Sequence, residues 1–463
     1  VDFKEQRVLV IGAGKSGIAV SHFLAGKGAR VVLTDRKEAN SFSPPLQSLL
    51  PPQVELVLGH YPEVVAGRFD LVVVSPGVPL TIPPVMRARE LGIPVTGELE
   101  LAYRLARAPI VAITGTNGKT TTTSLVGEIF NGAGIRTLVA GNIGRPLITE
   151  VEKYGPGDLL VLEVSSFQLE TTSLFRPRVA AILNITPDHL DRHGNMENYV
   201  AAKARIFANQ EGGDYTVLNY DDPLTRDLAP LCPGKVIFFS RRHNLEEGVV
   251  LSNGFLAVRE KGKTHPILPA TALRIPGAHN LENALAAAAC GWVLGVREKQ
   301  LAAALQHFSG VEHRLEFVAE IGGVKYINDS KGTNPEASMK ALQAYDQPIV
   351  LLAGGRNKGN DFTAFMQLVK EKVRVLVVMG ECAGEIEAAA RMAGVSRIVR
   401  AGDFRDAVIK AHRAAQPGDV VLLSPACASW DMFKSYEERG EMFKKLVHEL
   451  ILREMSGGSE LSC

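Results

Sequence analysis

The chain lacks the marks of a crosslinked scaffold, a membrane protein or a nucleic-acid binder. Its five cysteines, Cys232, Cys290, Cys382, Cys427 and Cys463, are odd in number, widely spaced and free of any Cys-x-x-Cys pair. That argues against a disulfide framework and against a zinc site, and reduced thiols in the cytoplasm are the expectation. Charge of one sign is not in excess: 51 Lys+Arg stand against 50 Asp+Glu, a net charge of +1, so no global field favours nucleic acid or an anionic membrane. No apolar run reaches bilayer-spanning length; the richest, 284–296, reads as a buried core helix. The opening Val1-Asp2-Phe3-Lys4-Glu5 has neither the charged nor the apolar region of a signal peptide. Short repeats and low-complexity blocks are also missing.

What remains is a long, evenly mixed chain of 463 residues, enough for about three domains at roughly 100 to 200 residues each. Short Val/Ile/Leu-rich runs alternate with helical patterns along most of it, the signature of α/β architecture with parallel sheets covered on both faces. Runs at 8–11, 31–34 and 71–75 make a first unit. A central unit follows the helical stretch 99–106, with strands at 109–114, 138–140, 159–163, 179–185 and 216–218. Between 235 and 269, short β-like pieces with Gly and charged turns predict a small antiparallel excursion before an Ala-rich helix from Asn280. Strands at 325–328, 349–353, 373–379, 398–401 and 420–423 make a third unit. The expected domains are 1–107, 108–311 and 312–455, with a frayed tail at 456–463.

Chemistry is expected where parallel strands end in loops. The first strand ends in Gly12-Ala13-Gly14-Lys15-Ser16-Gly17 and the second in Thr34-Asp35-Arg36, the spacing of a dinucleotide fingerprint, which by itself is weak. Asp35 suits a ribose hydroxyl; Arg36 beside it equally suits a phosphate. Gly115-Thr116-Asn117-Gly118-Lys119-Thr120-Thr121 is a stronger signal, because it joins an apolar strand to a helix running to about Phe130. Backbone N–H groups and a helix N-terminus would hold phosphates, Lys119 would neutralise the β and γ groups, and the Thr120 hydroxyl would reach Mg²⁺. Ile113 stands where the general phosphate-loop pattern has its first Gly.

Carboxylate and imidazole follow at the neighbouring strand ends. Glu163 closes the run Leu159-Leu160-Val161-Leu162, and Asp188-His189 follows Ile182-Leu183-Asn184-Ile185; a carboxylate there suits Mg²⁺, which prefers oxygen ligands. Lys203 lies in the apolar helical stripe Val200, Lys203, Ala204, Phe207. From pattern alone the simpler reading is a snorkelling amine that reaches water; the alternative is covalent neutralisation as a carbamate. In the third unit, Asn328-Asp329-Ser330-Lys331-Gly332-Thr333 runs into Asn334-Pro335-Glu336, a helix start with Asn as N-cap. Gly354-Gly355-Arg356-Asn357-Lys358-Gly359 and Ser424-Pro425-Ala426-Cys427-Ala428-Ser429-Trp430 close two more strands.

Together these blocks, with His279-Asn280-Leu281-Glu282-Asn283 and Glu312-His313-Arg314, resemble the Mur ligases of bacterial cell-wall synthesis, and among them the branch that adds D-glutamate, over about residues 7–450. The resemblance implies three α/β domains, a Rossmann-like one at each end and a central phosphate-loop ATPase domain, and an ATP-dependent amide ligase acting on UDP-N-acetylmuramoyl-L-alanine and D-glutamate through an acyl phosphate and a tetrahedral intermediate. It implies ATP held by 115–121, Asn280, Asn283, Arg314 and Asp329. It also implies two Mg²⁺ ions, one on Thr120 and Glu163, the other on His189 and carbamylated Lys203, which turns the reading of that lysine from snorkelling to carbamate. Lys119, Glu163, His189 and Lys203 would be catalytic. Ser16, Thr34, Asp35, Arg36 and Asn142 would meet the UDP-sugar; Lys331, Thr333, Lys358, Ser429 and Tyr436 would meet D-glutamate. A monomer without nucleic-acid or membrane partners is expected. The chain departs from the pattern at Arg356, where Asp is usual nearby, and at Trp430 and Tyr436. Rival readings are another Mur or folate-type amide ligase, a nicotinamide-dependent oxidoreductase built on Gly12 to Gly17, and a nucleotide-gated binding protein without turnover.

Overall fold

The computed structural model describes residues 2–42, 44–275, 277–357 and 359–455. Lys358 and the tail 456–463, which includes Cys463, therefore lie outside the described residues. The chain folds as two compact units, one running to Leu273 and including Ala278–Phe308, the other formed from Ser309 onward.

The first unit contains two sheets. The smaller is parallel, in the order Glu55–Leu58, Arg30–Asp35, Arg7–Ile11, Leu71–Val74, Val95–Thr96. Residues 8–11 of its central strand are fully buried, as continuous apolar runs in doubly covered parallel sheets must be. The strands Glu55–Leu58 and Val95–Thr96 were not expected from the sequence, because one is half-exposed and the other is two residues long. The helix Lys15–Gly26 starts against the first strand so closely that a Cβ on Gly17 would lie 1.8 Å from the Gly12 carbonyl oxygen.

The helix Glu98–Tyr103 then leads into the second sheet, and its two glutamates are buried. Glu98 accepts from the Ile148 N–H at 2.8 Å, and burial pushes its carboxyl up to about 7 against the pull of that bond and one from Leu147. Glu100 gathers the N–H groups of Ser173, Leu174 and Phe175 and the Arg104 guanidinium. It is held below the usual carboxylate value because these bonds together outweigh its desolvation.

The second sheet has nine strands, in the order Lys263–Pro269, Phe255–Glu260, Gly248–Ser252, Lys235–Ser240, Tyr215–Asn219, Val179–Ile182, Ile110–Thr114, Leu159–Glu163, Thr137–Gly141. Its antiparallel pairings are confined to the edge formed by the first three, as the turn-rich sequence there predicts. The helices Lys119–Gly132 and Ala278–Val293 pack on it.

The second unit carries a six-stranded sheet, ordered Glu316–Ile321, Val324–Asn328, Val420–Leu423, Ile349–Gly354, Val373–Met379, Ile398–Arg400. Only its first pair is antiparallel. The helix Pro335–Gln343 begins as expected, with the Asn334 side chain accepting from the Ala337 N–H at 2.8 Å. No helix of the described residues is long and apolar enough to cross a membrane.

Candidate active site

Three adjacent strands of the nine-stranded sheet, Leu159–Glu163, Ile110–Thr114 and Val179–Ile182, end at the same edge. The loops that follow them therefore meet, although the sequence separates them. The middle strand feeds the phosphate loop. At its end Gly118 is left-handed, φ 84°, which opens the helix at Lys119, and a Cβ on Gly118 would come within 2.2 Å of Asn283 Oδ1. Asn283 in turn takes the Thr122 hydroxyl at 3.3 Å and donates to Asn280 Oδ1 at 3.1 Å. The expected pair of asparagines thus braces the first turn of the phosphate-loop helix.

Asn184 locks the loop on its other side. Its Oδ1 accepts from the Asn117 N–H at 2.8 Å and its Nδ2 donates to the Asn117 carbonyl at 3.1 Å. Thr116 Oγ1 donates to the Thr186 carbonyl at 3.1 Å and lies 3.2 Å from the Tyr199 hydroxyl. Neither Asn184 nor Tyr199 stood out as a site residue in the sequence; an Asn directly after a strand was the one available signal for the first.

Lys119 Nζ donates to the carbonyls of Gly115 and Thr116, both at 2.8 Å. Lys203 reaches the same Gly115 carbonyl at 2.9 Å. The snorkelling reading of Lys203 is therefore overturned: the residue is 1% exposed, on the helix Met196–Ala204, with its ammonium 4.6 Å from the Tyr199 ring centroid. Burial, then the positive charge of Lys119, pulls its amine down to about 7. A stem that crosses apolar surface has no route to water once Tyr199 and the sheet edge cover its end.

Glu163 is 2% exposed. One oxygen, Oε1, takes the Asn142 carboxamide N–H at 2.8 Å, while Oε2 is buried with no hydrogen-bond partner among the described residues. A buried carboxylate oxygen without a partner is costly, and the acceptor-only chemistry of the group suits a hard divalent cation. This is the observation on which a Mg²⁺ ion fits the site. The buried Thr120, in the first turn of the neighbouring helix, offers a second oxygen. His189 is exposed and left-handed at φ 53°, with its ring 4.8 Å from that of Phe167. Its neighbour His193 is instead buried, 3.0 Å from the Ser166 hydroxyl, and held below the usual imidazole value by desolvation.

In the smaller sheet, Asp35 Oδ2 accepts from the Ala13 N–H at 2.8 Å and Oδ1 from the Lys37 N–H at 2.9 Å. Thr34 is buried and donates to the His60 carbonyl at 3.0 Å, whereas Arg36 is exposed and Ser16 is half-buried at the start of the helix Lys15–Gly26. Asp35 and Thr34 hold the turn; Arg36 and Ser16 are the members of this set that present side chains outward.

The second unit gathers its own polar cluster. Asp329 is buried, accepts from Ser424 Oγ at 2.7 Å, and burial pushes its carboxyl up to about 7. Arg314 Nε is buried without a partner among the described residues. Lys331 Nζ lies 5.8 Å from the Tyr436 ring, Thr333 is half-buried beyond Gly332, and Ser429 is 1% exposed. Arg439 was invisible in the sequence, where a lone arginine on a helix reads as a solvated face. It is fully buried, bonds Ser330 and the Cys427 carbonyl, and burial lowers its guanidinium to about 10.

Comparison with known proteins matches each part of this arrangement. Residues 113–291 match the Mur ligase middle domain, 313–427 the glutamate ligase domain of Mur ligases, and 6–97 the MurD-like N-terminal domain. The UDP-N-acetylmuramoylalanine--D-glutamate ligase of Pelotomaculum thermopropionicum is 60% identical over 449 residues, 97% of this chain and 99% of that protein. The chain belongs to the Mur ligase family. A protein of the same name from Caldanaerobacter subterraneus subsp. tengcongensis is 49% identical to this Mur ligase over 452 residues, 97% of the chain and 100% of that protein. Among solved structures, a UDP-N-acetylmuramate-alanine ligase from Thermotoga maritima aligns at a TM-score of 0.58 and 21% identity, covering 96% of this Mur ligase and 100% of that chain. A MurF ligase from the same organism, in complex with ADP, aligns at 0.56 and 18%, covering 96% of each chain. Those two likenesses show a shared fold.

Proposed function

We propose that this Mur ligase joins D-glutamate to UDP-N-acetylmuramoyl-L-alanine at the expense of ATP, acting in the cytoplasm as a monomer. The reading is supported by the two relatives of that name and carried chemically by one observation: the unpartnered oxygen of buried Glu163, at the strand end next to the phosphate loop. The three expected domains, 1–107, 108–311 and 312–455, divide the labour as UDP-sugar, ATP and amino-acid binding.

The γ-phosphoryl group passes from ATP to the alanyl carboxylate: a P–O bond to ADP breaks as one to the carboxylate forms. The D-glutamate nitrogen then attacks the acyl carbon, phosphate leaves with the C–O electron pair, and the amine gives up its proton. The inert carboxylate becomes reactive because phosphate is a good leaving group. The protein's task is to bring two anions together without repulsion. Lys119 and the N–H groups of 115–121 hold the terminal phosphates, with Asn280 and Asn283 bracing that loop; Arg314 and Asp329 are the further residues proposed to bind nucleotide. Glu163 and Thr120 would hold one Mg²⁺, and His189 with Lys203 as its carbamate would hold another; such ions supply charge neutralisation between the reacting anions. Only a neutral amine has the lone pair that attacks carbon dioxide, and the depressed Lys203 provides one near neutral pH. Ser16, Thr34, Asp35, Arg36 and Asn142 serve the UDP-sugar, and Lys331, Thr333, Lys358, Ser429 and Tyr436 the amino acid.

The deciding experiment supplies ATP, Mg²⁺ and UDP-N-acetylmuramoyl-L-alanine with a panel of amino acids, and reads phosphate release and the mass of the amide product. D-glutamate is expected to dominate. Release without that preference rejects the substrate assignment, and NAD(P) binding without ATP turnover rejects the ligase reading altogether.

A further inference from the structure

Cys382 and Cys427 bring their sulfur atoms to 3.1 Å in the second unit, although 45 positions separate them in the chain. Cys382 is 2% exposed and sits at the start of the helix Ala383–Ala393; Cys427 is fully buried in the loop 424–429. The backbone of each is anchored independently. The Cys382 N–H donates to the Gly355 carbonyl at 2.9 Å, and the Cys427 carbonyl accepts from Arg439 Nη1 at 3.2 Å. Nothing in the ligase reaction uses either thiol.

We propose that Cys382 and Cys427 form an oxidisable dithiol which a peroxide closes to a disulfide, and that closure weakens binding of the amino-acid substrate. The second half rests on the reading of loop 424–429 as part of the amino-acid site. The chemistry balances as a two-electron exchange. The Cys382 sulfur attacks one peroxide oxygen, forming S–O and breaking O–O, and the departing hydroxide takes a proton to become water. The Cys427 sulfur then attacks the Cys382 sulfur, forming S–S and breaking S–O, and the second hydroxide leaves as water with the Cys427 proton. Two thiols are oxidised and one peroxide is reduced to two waters.

The environment assigns the roles. A hydrogen bond from Cys427, and another from the Gly355 N–H, hold the Cys382 thiol below its ordinary value despite burial, while Cys427 is pushed up by bonding to Cys382 and by desolvation. The lower thiol is the better attacking group.

The link to binding is mechanical. A disulfide requires the sulfurs to approach by about a further 1 Å. Cys427 cannot follow alone: Ala428 is tied to Arg356 by two backbone bonds of 2.9 and 3.1 Å. Ala426, left-handed at φ 58°, donates to the Gly332 carbonyl at 2.9 Å and to Ser338 Oγ at 3.0 Å. Movement of Cys427 is therefore passed to the segment holding Lys331 and Thr333.

The test uses the full chain, reduced, freed of reductant and then treated with hydrogen peroxide. The expected result is a digest peptide pair linking Cys382 to Cys427, a several-fold rise in KM for D-glutamate with KM for ATP unchanged, and reversal of both by dithiothreitol. Cys382→Ser should keep the reduced enzyme's activity and lose the response. Absence of the linked pair while other thiols oxidise overturns the proposal, and so does a linked pair with unaltered KM for D-glutamate. If the reduced enzyme shows no dependence on D-glutamate, the functional reading fails instead, and the linked peptide still reports on the dithiol.

Discussion

Lys119 and Lys203 donate to one and the same carbonyl, that of Gly115, at 2.8 and 2.9 Å. Burial first, and then repulsion between the two ammonium groups, lowers the amine of Lys203 to about 7. Substituting Lys203 by Met is expected to separate function from stability. Turnover should fall on the order of 100-fold or more, the scale of losing an element of a metal site, while Lys203→Ala should be partly rescued by short carboxylic acids that replace the carbamate. Near-wild-type amide formation by Lys203→Ala would remove the carbamate from the account.

The same lysine has a pH signature. Between pH about 7 and its ordinary value of 10.5 the folded chain binds fewer protons at this amine than the unfolded chain. Its unfavourable effect on stability is thus complete below pH 7 and fades as the pH rises. In bicarbonate-free buffer, Lys203→Met should melt above the parent at pH 6, with the gap shrinking by pH 10. A gap independent of pH would show that the buried charge is not its source.

Glu163 and Asn142 form a pair in which one side chain aims the other. Asn142→Ala should raise the Mg²⁺ concentration needed for half-maximal ADP release by about 10- to 100-fold. Glu163→Gln should nearly abolish turnover yet leave the melting temperature unchanged or higher, because it removes a buried charge with an unpartnered oxygen. A Mg²⁺ titration beside a thermal melt reads both, and a large loss of stability in Glu163→Gln would contradict the assignment.

Gly118→Ala places a Cβ at a positive φ, a strain of about 1 to 2 kcal/mol, and drives it to 2.2 Å from Asn283 Oδ1. Nucleotide affinity should drop by roughly tenfold or more, measurable by calorimetry with ADP. Unaltered binding would mean that the Asn283 brace does not shape the phosphate loop.

Glu98 ionises in the wrong direction for a structural carboxylate. Its folded value of about 7 lies above the ordinary 4.5, so the folded chain binds more protons in that window and stability declines as pH rises through it. Glu98→Gln keeps an acceptor for the Ile148 N–H and deletes the charge. The variant should be more stable than the parent above pH 7, by about 3 kcal/mol, with the difference vanishing near pH 4.5. Parallel stability curves would show that Glu98 is not the titrating group.

Where a motif is a local conformation, the sequence alone was sufficient. The strand, loop and helix around Lys119 follow from an apolar run, two glycines and a helix-forming stretch, and Asn334-Pro335 starts its helix as its residue types require. The edge strands Glu55–Leu58 and Val95–Thr96 escaped because short, half-exposed strands carry too few apolar residues to show a period.

Tertiary structure decided the rest, and for one reason: periodicity states which face a side chain occupies but not what covers it. The helical stripe put Lys203 among apolar neighbours, yet only the packing of Tyr199 and the Gly115 loop closed its path to water. Strand order, which no local pattern encodes, set Glu163 beside Ile113, joined Asn142 to Glu163 and Asn184 to Asn117, and brought Cys382 to Cys427. Residue types made the chemistry available; long-range pairing of strands chose which of them meet.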